Sequence, residues 1–75
     1  MDQAITVAPS ANGWMVKTSA FDGAMFFRSG ARAEAAARSL GAKFARIGAS
    51  VEILIFLRDG ALGGRFVCSA AAQRH

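Results

Sequence analysis

The sequence is short of the residues from which most chemical sites are built. It has one cysteine, Cys68, so no intramolecular disulfide can form, and with one histidine, His75, it cannot assemble a four-ligand zinc site of the cysteine–histidine kind. Acidic residues number five. Asp22 and Asp59 fall in tight turns, Glu34 on a helix and Glu52 on a strand face. These are ordinary structural places for carboxylates, and no paired acid and base is indicated. No segment approaches the roughly 20 apolar residues of a spanning helix. Met1-Asp2-Gln3 lacks the basic stretch and apolar run of a signal peptide. These absences predict a cytoplasmic chain with no membrane span, cofactor, metal or small-molecule substrate, and no enzymatic activity.

What is present is apolar. Hydrophobic residues make up 53% of the 75 positions and charged ones 19%, which excludes a disordered chain. The expectation is a single domain over residues 1–75, with frayed ends at about 1–3 and 70–75. A chain of this size buries only about 60% of the surface its unfolded form exposes, so help from a partner is expected. The net charge of +4 resides in residues 28–46, where Arg28, Arg32, Arg38, Lys43 and Arg46 outweigh Glu34. The remaining charges balance, so any long-range field comes from this third quarter of the chain.

The most apolar stretch is V-E-I-L-I-F-L at residues 51–57, too short for a membrane and rich in β-branched residues. It is predicted to be the central strand of a small sheet. Val51, Ile53, Ile55 and Leu57 point to one face, and Glu52, Leu54, Phe56 and Arg58 to the other. Residues 4–8 read as a first strand stopped by Pro9, which cannot donate to a ladder. Asn12-Gly13 supplies the positive backbone φ of a hairpin turn, and the chain returns over residues 14–19. A second reversal at Phe21-Asp22-Gly23 leads into a third strand at 24–28.

From Ala31 the spacing becomes helical, with Ala33, Ala36, Ala37, Leu40, Phe44 and Ile47 forming one stripe. Glu34 is placed in the first turn and pairs with Arg38 at i, i+4. Gly41 weakens the helix by roughly 1 kcal/mol against alanine, and Gly48 is the left-handed stop. After a turn at Asp59-Gly60, Gly63-Gly64 lengthens the turn or forms a bulge before a last strand at 65–69. The predicted class is α+β, ordered β-β-β-α-β-β, with one helix packed on one face of an antiparallel or mixed sheet.

Three pieces stand in order: Gly13-Trp14-Met15-Val16-Lys17, then the helix segment from Ala33-Glu34-Ala35 to Arg38, then Glu52-Ile53 followed by Asp59-Gly60. Together they resemble a family of small bacterial domains of unknown function with a G-W-x-V-K strand, an A-E-A helix and a late D-G turn. The resemblance implies the strand-rich, one-helix architecture and brings no reaction, cofactor or substrate with it. The Pro-Asp-Leu-Pro-Gly signature of small antitoxin domains is absent.

Single residues add little chemistry. Cys68 lies in an apolar strand without an acid–base partner nearby in sequence, the setting of a structural thiol. His75 is the last residue, unsuited to a fixed geometry. Ser29-Gly30 precedes a helix, but phosphate loops need more glycines and usually a lysine. Trp14 shares a face with Val16 and is expected to anchor the core.

The opposite sheet face carries Met15, Phe26, Leu54 and Phe56, with Lys17, Arg28, Glu52 and Arg58 expected at its rim. One helix cannot cover both faces, so this one is predicted to pair with its copy in a homodimerising structural or interaction module. The alternative is a nucleic-acid-binding module using either that face, with Phe26 and Phe56 stacking on bases and Lys17, Arg28 and Arg58 holding phosphates, or the basic helix, with Arg32 and Lys43 as further contacts. Leu54 and Met15 make the face greasier than a reading surface, which favours the dimer.

Overall fold

A computed structural model describes residues 3–19 and 22–68. The first strand, β1 (Gln3–Ser10), turns through Ala11 and Asn12 into β2 (Gly13–Thr18), and β3 (Ala24–Phe27) completes an antiparallel meander. The helix α1 (Gly30–Arg46) then crosses one face and returns the chain to β4 (Val51–Phe56), which lies parallel to β1. Antiparallel to β4 runs β5 (Leu62–Cys68). The result is a mixed five-stranded α+β sheet, ordered β3-β2-β1-β4-β5, with the element order β-β-β-α-β-β. No helix of the described residues is long and apolar enough to cross a membrane.

The middle position belongs to β1. The run at 51–57 is interior but second from an edge, because the helix lays it beside β1 on the side away from the meander. Pro9 does not stop β1. It faces Trp14 across the hairpin, and β1 pairs with β4 only as far as Val7, so the missing N–H lies where that side of β1 is already open.

Between sheet and helix, Ile5, Val7, Val16, Val51 and Ile53 are fully buried against Ala33 and Ala37. Trp14, Phe27, Leu40, Phe44, Ile55 and Cys68 close the margins of this core. The core therefore joins Ile53 and Ile55 to Leu40, Phe44 and Trp14, as the alternation predicts. Gly41 has a packing role beyond its cost in helix propensity. It is buried, and a Cβ there would lie 3.1 Å from Ile53 Cδ1 and 3.2 Å from Cys68 Sγ, so the missing side chain lets the helix settle onto β4 and β5.

The helix limits differ slightly from the periodicity. Ser29 is the N-cap, its hydroxyl accepting from the Arg32 N–H at 3.1 Å, and the helix starts at Gly30. Glu34 consequently lies beyond the first turn, although it still pairs with Arg38 at 2.9 Å. Ile47 is not part of the stripe. It is the C-cap residue and 79% exposed, because the chain leaves helical geometry there and Gly48 follows with φ +93°.

The last strand begins earlier than expected, at Leu62, and Ser69 lies outside the described residues. Ile55 pairs with Gly64 but Phe56 with Leu62, so Gly63 is the extra residue of a bulge, with the Leu57 side chain lying over it. The strand reading of Leu57 fails too, and with it the face expected for Arg58. The chain has already turned, with Leu57 N–H donating to the Ala61 carbonyl and Gly60 N–H to that of Leu57. Of the ends expected to fray at about 1–3 and 70–75, Gln3 is instead held in β1, its N–H donating to the Ser50 carbonyl at 2.8 Å, and the remainder, with Phe21, lie outside the described residues.

Candidate interaction surface

The face away from α1 is assembled row by row from the strand registers. Phe26 sits beside Met15, and Met15 beside Ala8. On the next row Ala24, Lys17, Thr6, Leu54 and Arg65 follow one another across all five strands. Phe56, two residues along β4 from Leu54, stands beside Leu62. Met15, Phe26, Leu54 and Phe56 thus share one face, as strand alternation requires. They form two apolar pairs, Met15 with Phe26 and Leu54 with Phe56, flanking the small Thr6 and Ala8 of β1. Among the described residues no element covers them. Phe26 is 70% exposed, whereas Met15, Leu54 and Phe56 are partly screened by their neighbours.

The cations expected to surround this face are distributed differently. Lys17 stands within it, beside Thr6. Arg65 lies beside Leu54, and its Nε donates to Glu52 Oε2, a diagonal ion pair along the β4–β5 ladder. Arg58 does not reach the face. Its guanidinium lies over the Trp14 ring, 5.3 Å from the centroid, because the turn after β4 swings it to the helix side. Arg28 and Arg32 line one shallow hollow with Phe26, Phe27 and Ser29, at the join of β3 and α1. Lys43 is in the last turn of the helix, about 16 Å from Arg32 at 1.5 Å per residue. The five residues expected to contact nucleic acid, Lys17, Arg28, Arg32, Lys43 and Arg58, therefore occupy four separate places, and of these only Arg28 and Arg32 come together beside an exposed aromatic ring.

A second hollow, of about 360 Å³, opens at the Gln3 end of the same face. Its polar lining is Gln3, Ser19, Ser50, Glu52 and Arg65, of which Gln3 is bonded to Ser19 and Glu52 to Arg65. Ser19 Oγ donates to Gln3 Oε1 at 3.1 Å and accepts from Ala4 N–H at 3.0 Å, while Glu52 holds Arg65. Cys68 is half-buried against the core on the opposite face.

Sequence reasoning missed Thr6, Ala8, Leu62, Arg65 and Val67 as members of the face. For Thr6 and Ala8 the signal was present, since Ile5 and Val7 point to the core and their neighbours must point away. For the β5 residues no local signal existed, because the bulge at Gly63 resets the alternation. No protein-family model, curated protein or solved structure matches the chain, so the resemblance to G-W-x-V-K domains rests on its three short motifs.

Proposed function

We propose that the protein is a non-enzymatic interaction module that forms a homodimer through the sheet face opposite α1. The observation that carries this reading is the apolar band of Met15, Phe26, Leu54 and Phe56, which no element of the described residues covers, since the one helix among them is spent on the other face. A twofold axis through such a band brings identical patches together, and the small Thr6 and Ala8 between the apolar pairs leave room for side chains from the partner. Burial yields about 25 cal/mol per Å² of apolar area, of which association entropy and side-chain ordering consume a large share. The pairing must therefore be well packed to persist at low concentration.

Phe56→Glu tests it. The substitution places two carboxylates near the axis and should raise the dimer dissociation constant about thirtyfold or more, the scale of a central hot-spot residue. At low micromolar concentration the expected result is a folded monomer by sedimentation, with unchanged far-ultraviolet circular dichroism, against a dimeric parent. A parent that stays monomeric at high concentration overturns the reading.

One observation favours a second reading, single-stranded nucleic-acid binding. Phe26 is an exposed aromatic ring beside a hollow lined by Arg28 and Arg32, a stacking surface next to two cations. On that reading single-stranded DNA binds at low salt, and log K falls against log salt with a slope of about −1.4 for two phosphates. Removing either arginine should halve the slope, whereas Phe26→Ala should weaken binding without changing it. Absence of binding at low salt removes this reading.

A further inference from the structure

The two edges of the sheet are not equally protected. At one edge β3 has four residues and runs directly into Arg28 and the helix cap, too short to template another strand. At the other, β5 has seven residues and contains no proline, lysine or acidic residue. Among the described residues no strand lies on its outer side. Among the described residues only the bulge at Gly63 blunts it, at its beginning. From Gly64 to Cys68 the strand is regular and presents its outer backbone groups in extended conformation. Val67, on the face opposite the helix, is 63% exposed, and Phe66 on the helix side is only partly covered. The one cation of the strand, Arg65, is already engaged by Glu52 of its own chain.

We infer that β5 is a second self-association surface, pairing antiparallel with β5 of another copy to extend the five-stranded sheet across a twofold axis. An antiparallel pair of identical strands is self-complementary, so one register satisfies both copies. The side chains select that register. Centring the axis on Arg65 would set two guanidinium groups directly opposite, which is unfavourable. Centring it on Phe66 sets Phe66 against Phe66, Arg65 against Val67 of the other copy, and Gly64 against Cys68. The aromatic pair then forms on the helix side, with each ring capped by its own Arg38, whose guanidinium lies 4.1 Å from the ring centroid and is held by Glu34. On the other side Arg65 lies next to the exposed Val67 of the second copy, beyond which stands that copy's Glu52, so the row alternates without like charges in contact. The contact involves only five residues per copy and belongs to the weak class of interfaces, populated at high concentration.

This surface is separate from the apolar band, and the two pairings are compatible: edge-joined sheets can still stack face to face, with twofold axes in different directions. The test uses full-length protein carrying Phe56→Glu, so that face pairing is removed, followed by sedimentation from low micromolar to near-millimolar concentration. A monomer–dimer equilibrium at the upper end is expected. Adding Val67→Lys places an ammonium opposite Arg65 of the other copy, twice per dimer, and should raise the edge dissociation constant about tenfold. Adding Val67→Glu instead places a carboxylate there and should lower it. Opposite signs from one exposed position identify the register, since a nonspecific apolar contact would be weakened by both charges. A Phe56→Glu protein that stays monomeric throughout, or equal weakening by both Val67 substitutions, overturns the proposal. The first result leaves face pairing in the parent intact, so the two readings fail separately.

Discussion

Ile53→Asp is expected to abolish the cooperative thermal transition. Ile53 has no exposed surface. It lies between Ile5 of β1 and Phe66 of β5, with its Cδ1 beneath Gly41 of the helix. A carboxylate there meets apolar groups on the neighbouring strands and the helix, and no cation of the described residues shares the core cluster. Burying it costs several kcal/mol whether it stays ionised or takes up a proton, and the lost isoleucine packing adds a few more. A folded domain of this length holds roughly 4 to 11 kcal/mol in total. The substitution therefore removes most or all of the stability. Circular dichroism should show a broad, low-amplitude change in place of the parent's melt, whereas Ile53→Val should cost only about 1 kcal/mol. A parent-like melt for Ile53→Asp would mean that this side chain does not face the helix.

Gly13→Ala should be the most damaging methyl addition to the meander. Gly13 pairs with Ser10 at the start of β2 and is buried beneath the end of β3. A Cβ built there would stand 2.4 Å from the Phe27 carbonyl oxygen. The obstacle is backbone, which cannot swing aside as a side-chain terminus can, so β3 must separate from β2 or the hairpin must shift. The cost is about 3 kcal/mol, the upper range for overpacking. It should appear as a lowered denaturant midpoint with an unchanged slope. An unaffected midpoint would show that β3 does not approach Gly13.

This glycine also shows where local reasoning succeeds for a partly different reason. Asn12-Gly13 is a hairpin signal, and the hairpin forms there through Ala11 and Asn12. Yet the constraint on Gly13 is the closeness of Phe27, fourteen positions along the chain, which no dipeptide can encode. Gly41 is parallel: along the helix it is a weak residue, and only the docking of α1 on Ile53 and Cys68 shows what its small size permits.

The elements and their faces were legible in the sequence because they depend on near neighbours. Period-two alternation placed Ile5, Val7, Val16 and Ile53 inside and Met15, Phe26, Leu54 and Phe56 outside. Period-3.6 spacing placed Ala33, Ala37, Leu40 and Phe44 against the sheet, and Gly48 marked where the helix ends. Strand order was decided only by tertiary structure. Whether β4 lies beside β1 or at the outside of the meander depends on which way α1 crosses, and the same alternation satisfies either arrangement. Arg58 turning onto Trp14, Arg65 finding Glu52 and the long open edge at β5 all follow from that order and from one extra residue at Gly63. A side chain's face is a local property of the backbone period, but its neighbours on that face come from chain segments far apart in sequence, and only packing brings them together.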